Sequence, residues 1–280
     1  MGTEKPSLGV GLIGCGAIGT VLAQAIDAGR AGKTRLLIVF DSVPDRSWDL
    51  ATTLSHKPKV AKTFDEFIEH EGMQLVIEAA SQEAVRRYAT EVIWKDKDLM
   101  IMSVGALIDN RLFSHVWSLT KSSTRRVLIP SGAIAGLDGL KAASVGRIDE
   151  VTLTTRKSPE SLKGAPYLDQ NEIAIDNIRD STLIYEGPAL EACKLFPANV
   201  NVAASVSLAG IGPEKTKVRI IVDPTLDKNI HELSVKGEFG NLTTHTENVP
   251  APSNPKTSYL AALSAIAALK RITEDIVVGT

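Results

Sequence analysis

The sequence predicts an α/β chain in two domains, a doubly wound parallel sheet followed by an α+β domain, on three observations. From residue 8 to about 146, short apolar runs alternate with longer amphipathic ones, as parallel strands joined by crossover helices do. Beyond 147 the apolar residues switch to period-two alternation, typical of a sheet with one polar face. Near the end, "KTSYLAALSAIAALKRIT" repeats apolar residues at i, i+3 and i+4 after the stop signal "NVPAPSNP", which marks a last amphipathic helix.

Element by element, the strands of the first domain are "LGVGLIG", "RLLIVFD", "LVIEAA", "LMIMSV" and "RVLIPS". Each is close to continuously apolar, as a strand covered by helices on both faces must be. Helices are expected at 17–29, 64–70, 82–94, 109–121 and 135–144. In the second part "EVTLTTRK", "KVRIIVD", "IHELSVKGEFG" and "LTTHTENV" are the alternating strands, while 157–189 is the least regular stretch and reads as a loop beside the site. The expected division is 1–146 for the nucleotide-type domain and 147–255 for the α+β domain. The helix over 256–273 is expected to pack back on the first domain.

With 31 basic and 33 acidic residues among 280, the chain has a net charge of −2 and no Lys/Arg cluster, which argues against nucleic acid or an anionic membrane as partner. Apolar residues at 44% and charged residues at 23% are those of an ordinary folded protein. No apolar run approaches the roughly 18–20 residues of a membrane span, and the N-terminus has no leader pattern, so a cytoplasmic protein acting on a small molecule is expected. The two cysteines, Cys15 and Cys193, lie far apart without metal-ligand spacing, so neither a disulfide framework nor a metal site is indicated.

The most specific local signal is "GLIGCGAIG". Gly14, Gly16 and Gly19 stand in G-x-G-x-x-G spacing after an apolar strand, and Ala17 and Ile18 open the following helix. Gly14 can make the tight turn, Gly16 can admit a pyrophosphate to the backbone, and Gly19 can let helix and strand pack closely. The helix N-terminus adds partial positive charge. About 20 residues on, "LLIVFD" ends in Asp41, where a carboxylate accepts hydrogen bonds from an adenine-ribose diol and repels a 2′-phosphate. A Rossmann domain binding NAD is therefore expected, with NADP kept open because Arg46 is near enough in sequence to neutralise Asp41 or to contact a phosphate.

Five histidines are candidates for proton transfer: His56, His70, His115, His231 and His245. His231 stands out because it opens a strand directly after the turn-rich "VDPTLDKN", a place from which a side chain can reach an interdomain cleft. His245 is its local competitor. In "FPANVNVAASVSLAG", Asn199 and Asn201 precede an Ala-rich helix, where an amide suits either a nicotinamide carboxamide or a helix cap. In "SNPKTSYLAAL", Lys256, Thr257 and Ser258 stand at a helix start that could bind a carboxylate or be no more than a capped end. "LIPSGAIAGLDGL" brings small residues, Ala133 among them, to the end of the last Rossmann strand.

Taken together, "GLIGCGAIG", "IPSGAIAGLDGL", "LFPANVNVAASVSLAGIG", "VDPTLDKNIHELSVKGEFG" and "ENVPAPSNPKTSYLAALSAIAAL" resemble, in order and over nearly the whole length, the NAD(P)-dependent L-aspartate dehydrogenases. The resemblance implies oxidative deamination of L-aspartate to oxaloacetate and ammonia through iminosuccinate, with a possible supply of that imine to NAD biosynthesis. It implies His231 as the active-site histidine and Asn201 with the backbone amide of Ala133 as cofactor contacts, Ala135 being a second candidate. Lys256 and Thr257 are the expected carboxylate contacts, and a homodimer is the expected assembly. The alternatives are a homoserine dehydrogenase or dihydrodipicolinate reductase type of oxidoreductase, and a non-catalytic dinucleotide-binding protein.

Overall fold

The structure, a computed structural model, describes residues 7–197, 200–251 and 254–279. These form two compact units, one of residues up to Pro130 together with Ala262–Val278, the other centred on Ser131–Ala261.

The first unit is built on six parallel strands: β1 (Leu8–Ile13), β2 (Thr34–Phe40), β3 (Lys59–Val60), β4 (Leu75–Glu78), β5 (Asp98–Ile101) and β6 (Val127–Leu128). Their order, β3-β2-β1-β4-β5-β6, reverses direction between β1 and β4, where doubly wound sheets bind ligands at the strands' carboxyl ends. All four residues of β4 and the last five of β1 are buried, which their apolar runs required. The connecting helices are α1 (Ala17–Asp27), α2 (Pro44–Thr53), α3 (Phe64–Ile68), α4 (Gln82–Trp94) and α5 (Asn110–Ser122). Capping fixes several starts. Thr63, Ser81 and Asp109 each accept a backbone N–H from the first turn of the helix they precede. Helix α2, "PDRSWDLATT", lay outside the expected set because only Ser47, Leu50 and Ala51 of its length turn inward, too few to register as an apolar stripe.

The second unit carries α6 (Leu137–Ala143), β7 (Ile148–Lys157), α7 (Pro159–Leu162), α8 (Pro166–Gln170), β8 (Thr182–Pro188), α9 (Ala189–Leu195), α10 (Asn201–Ala209), β9 (Lys217–Val222), β10 (Asn229–Gly237) and β11 (Gly240–Asn248). Its sheet runs β11-β10-β7-β9-β8, with β7 parallel to β9 and the other neighbours antiparallel. The short pair β12 (Pro250–Ala251) and β13 (Asn254–Ser258) leads into α11 (Tyr259–Thr273).

Three boundaries differ from the expectation. The first unit ends at Pro130 and not at 146, because Asn248 Nδ2 donates to the Ala133 carbonyl (2.9 Å) and Thr244 Oγ1 to the Ala135 carbonyl (3.0 Å), tying that segment to β11. The segment 157–189 is not one loop. It holds α7, α8 and β8, anchored by Tyr167, Tyr185 and Phe196, whose rings pack with centroids 5.1 to 5.6 Å apart. The final helix begins at Tyr259, since the preceding residues pair as β13. Its Ala265 and Leu269, fully buried, lie in the core of the first unit with Val10, Leu12, Leu22 and Ile26.

Candidate active site

The glycines after β1 divide their work. Gly14 has φ +96°, and a Cβ there would stand 2.7 Å from the Ala79 backbone; a Cβ on Gly19 would run into the Gly14 carbonyl oxygen. These two serve the turn and the approach of α1 to β1. Gly16 is different: its Cβ would meet nothing within 4 Å, and as N-cap of α1 it supplies no side chain to the first-turn amides. Space and uncapped N–H groups at Gly16, Ala17 and Ile18 make a cradle that suits a pyrophosphate, so these residues fit a dinucleotide.

Asp41, 9% exposed, follows β2 and has a second task. Its Oδ2 accepts from the Cys15 N–H (2.8 Å) and its Oδ1 from the Val43 N–H (2.9 Å). A carboxylate offers about four acceptor positions, so roughly two remain for a ribose diol. Burial, and then the Asp41 charge, push the Cys15 thiol up to about 12. The loop cysteine is thus a neutral packing group.

Sequence reasoning passed over Glu78, at the carboxyl end of β4 and 2% exposed. It accepts from the Ala80 N–H (2.8 Å), the Ser81 N–H (2.9 Å), the Ser103 N–H (3.0 Å) and Ser103 Oγ (2.9 Å). Burial pushes its carboxyl upward against the pull of these donors. The side chain thereby holds together the chain segments leaving β4 and β5.

In the second unit, the inward face of the sheet is apolar at one end and polar at the other. Val151 and Leu153 of β7 lie opposite Val235 and Leu233 of β10. The next pair is Thr155 and His231, 5% and 2% exposed, with Thr246 of β11 beyond His231. Thr155 Oγ1 stands 3.0 Å from His231 Nδ1. One step along come Lys157, 4% exposed, and the buried pair Asn229 and Asn248. Asn248 Nδ2 donates to Ala133 O, whereas its Oδ1 is buried and without a hydrogen-bond partner among the described residues. Burial first, and the Lys157 charge second, depress His231 to about 3, so the imidazole is neutral.

The expectation that "EVTLTTRK" lays its polar residues on a wet face needs revision. Thr155 and Lys157 share the buried face with Val151 and Leu153, so the strand's inward register runs apolar and then polar. His231, Ala133 and their neighbours Asn229 and Asn248 come together, while Asn201 is exposed in the first turn of α10. Thr257 is half-buried in β13, so its backbone is extended and not the first turn of a helix. Asn199 and the side chain of Lys256 lie outside the described residues. The other histidines face water: His56 pairs with Asp27, His70 with the Glu71 carbonyl, His245 with Glu232 and Glu247, and His115 is exposed on α5.

Two family models match consecutive parts of the chain: the homoserine dehydrogenase NAD-binding domain over residues 14–130 and the aspartate dehydrogenase C-terminal domain over residues 138–272. An L-aspartate dehydrogenase of Methanosarcina barkeri is 48% identical over 273 residues, covering 98% of this chain and 100% of the relative. The chain belongs to the L-aspartate dehydrogenase family. Another member, from Methanococcoides burtonii, is 50% identical over 274 residues, again covering 98% and 100%. Among solved structures, the aspartate dehydrogenase of Thermotoga maritima superposes with TM-score 0.76 at 28% identity, covering 97% of this chain and 99% of that one. A homoserine dehydrogenase of Thiobacillus denitrificans, at 14% identity and TM-score 0.63 over 95% of this chain and 73% of that one, shares the fold. Membership makes the chain an oxidoreductase with an NAD(P)-binding domain. Among the described residues no group of His, Cys, Asp and Glu could hold a metal ion, and no helix is long and apolar enough to cross a membrane.

Proposed function

We propose that the chain oxidises L-aspartate to iminosuccinate, which water converts to oxaloacetate and ammonia, with NAD as the preferred coenzyme. The observation that carries this reading is the buried neutral imidazole of His231, braced by Thr155, in a chain closely related to L-aspartate dehydrogenases over almost its full length. The cradle at Gly16, Ala17 and Ile18, shaped by the turn at Gly14 and the close packing at Gly19, would hold the pyrophosphate, Asp41 would take the ribose diol, and the Ala133 amide and Asn201 would be the contacts of the nicotinamide end. A bound nicotinamide would supply the hydride acceptor for oxidation at the substrate Cα.

The chain's own residues supply the proton chemistry. Oxidation requires the substrate ammonium to lose a proton, and addition of water to the imine releases another. If Nδ1–H of His231 donates to Thr155 Oγ1, Nε2 presents the lone pair that accepts one of these. Lys256 and Thr257 remain candidates for one carboxylate. Asp41 favours NAD, because a 2′-phosphate would meet its negative charge. A cytoplasmic homodimer is the assembly and location this reading carries.

The test is NADH formation from NAD by the purified protein, with L-aspartate against homoserine, alanine, glutamate and malate. An aspartate-dependent rise in absorbance is expected. No aspartate-dependent signal in either direction, with either coenzyme, refutes the reading.

A further inference from the structure

Strand β11 turns four side chains inward at every second position: Leu242, Thr244, Thr246 and Asn248. All four meet the segment 133–139. Asn248 Nδ2 donates to the Ala133 carbonyl (2.9 Å), the Ala135 N–H donates to Thr246 Oγ1 (3.3 Å), and Thr244 Oγ1 donates to the Ala135 carbonyl (3.0 Å). A Cβ on Gly136 would stand 2.6 Å from Thr244 Cγ2, and one on Gly139 would stand 3.0 Å from Leu242 Cδ2. The backbone at Ala133 and Ala135 is therefore clamped to one strand. That strand also faces the proton acceptor, since Thr246 lies opposite His231 and Asn248 opposite Asn229. Asn248 has its orientation fixed by two acceptors, the Ala133 carbonyl and the Asn229 carbonyl at 3.5 Å, which turn its nitrogen towards them. Its Oδ1 is thereby left buried and without a donor among the described residues. An apolar side chain at 248 would avoid that cost, but it would take from Ala133 the donor that holds it.

We propose that Asn248 and Thr246 are positioning residues that hold the Ala133 amide in fixed register with His231, so that the nicotinamide end of the coenzyme is placed for reaction. The assignment rests on the reading in which the Ala133 amide contacts that end. Neither side chain needs to touch coenzyme or substrate, because both act through the backbone of 133–135. An amide held in place before binding loses less freedom on binding than one in a loose segment. A small displacement there also misplaces the reacting ring, which matters more than the same displacement at the far end of the coenzyme. The clamp thus makes a selective demand. ADP-ribose, which keeps the adenosine, the pyrophosphate and the second ribose but lacks nicotinamide, should be indifferent to it.

The experiment compares wild type with Asn248→Ala, Thr246→Val and Thr246→Ser. It measures the Kd of NADH and of ADP-ribose for each, together with turnover of L-aspartate. Valine keeps the volume of Thr246 without its hydroxyl, and serine restores the hydroxyl. Loss of one buried hydrogen bond predicts a rise of about 5- to 50-fold in the NADH Kd of Asn248→Ala and Thr246→Val. The ADP-ribose Kd should stay within about twofold, and Thr246→Ser should bind NADH almost as wild type does. If Asn248→Ala does not fold, the Thr246 pair decides by the same comparison. Unchanged NADH affinity in variants that bind ADP-ribose normally overturns the assignment. So does an equal loss of both ligands, since that pattern marks a general loosening of the fold. Wild type and variants that show the split, in a protein that turns over no aspartate, leave the clamp standing and remove the aspartate reading. Wild type that binds NADH no more tightly than ADP-ribose removes the nicotinamide contact of Ala133 and the clamp's role with it.

Discussion

Replacing Lys157 by methionine should make the chain more stable at neutral pH. Burial holds the Lys157 ammonium at about 8, against an ordinary value of 10.5. At about 1.4 kcal/mol per pKa unit, that difference corresponds to about 3 kcal/mol of unfavourable burial at pH 7. The sign follows from proton counting. Between about 8 and 10.5 the unfolded chain holds a proton that the folded chain has released, so stability rises with pH across that window, and below it the whole penalty is present. Methionine keeps most of the lysine stem's apolar packing and carries no charge. Lys157→Met should therefore gain up to about 3 kcal/mol over wild type at pH 7, and the gain should fade towards pH 10.5. Equilibrium urea unfolding followed by far-ultraviolet circular dichroism at pH 7 and pH 10 measures both quantities. A variant less stable than wild type at pH 7, or a gain that does not change with pH, would show that Lys157 sits comfortably in the folded chain.

Other expectations concern the groups around the two halves of the chemistry. His231→Ala should lower kcat by about 10²- to 10⁴-fold while NADH still binds, as read by steady-state kinetics and fluorescence titration; near-normal turnover would assign His231 to packing. The loop glycines should separate: Gly19→Ala should destabilise the fold, whereas Gly16→Ala should fold normally and bind NADH more weakly, and equal melting temperatures for the two would contradict the geometry. Asp41→Ala should narrow the NAD preference over NADP and also weaken binding of both, because the Cys15 and Val43 amides lose their acceptor; kcat/KM for the two coenzymes decides it. Glu78→Ala strands three backbone N–H groups, each worth about 1–3 kcal/mol when buried and unpaired, and should lower the melting temperature by several degrees at least.

The parallel sheet and the glycine loop were legible because their signals are local: continuous apolar runs, and three glycines at fixed offsets before a helix. His231 was legible only through the longer motif around it, since a histidine at a strand start has no diagnostic spacing. Thr155 and Lys157 were hidden for a physical reason. In "EVTLTTRK" alternate residues pass from Val151 and Leu153 to Thr155 and Lys157, and polarity alone assigns the latter two to water. Only the pairing of β7 with β10, 76 residues away between Thr155 and His231, turns them inward. Asn248 was read as part of a strand end for the same reason. Helix α2 and strand β8 escaped because their inward residues are few, and the aromatic contacts that order 159–188 are not visible as a period.

Buried polar groups in this chain fall into two kinds, and the difference separates architecture from function. Glu78 is surrounded by four donors from its own unit, and each fixes a chain segment leaving the parallel sheet. Its hydrogen-bonding capacity is used within the protein, so its removal should be felt in stability. Asn248 Oδ1 is equally buried but finds no donor among the described residues, an arrangement that costs free energy in the folded chain. Such a group is a place where a ligand can contribute what the protein does not. It lies in the same row as a cation held well below its ordinary value by burial, beside an imidazole held neutral. Burial thus acts on the two kinds in opposite directions: around Glu78 it strengthens bonds already made, and around Asn248 and Lys157 it adds a cost that the rest of the fold must offset.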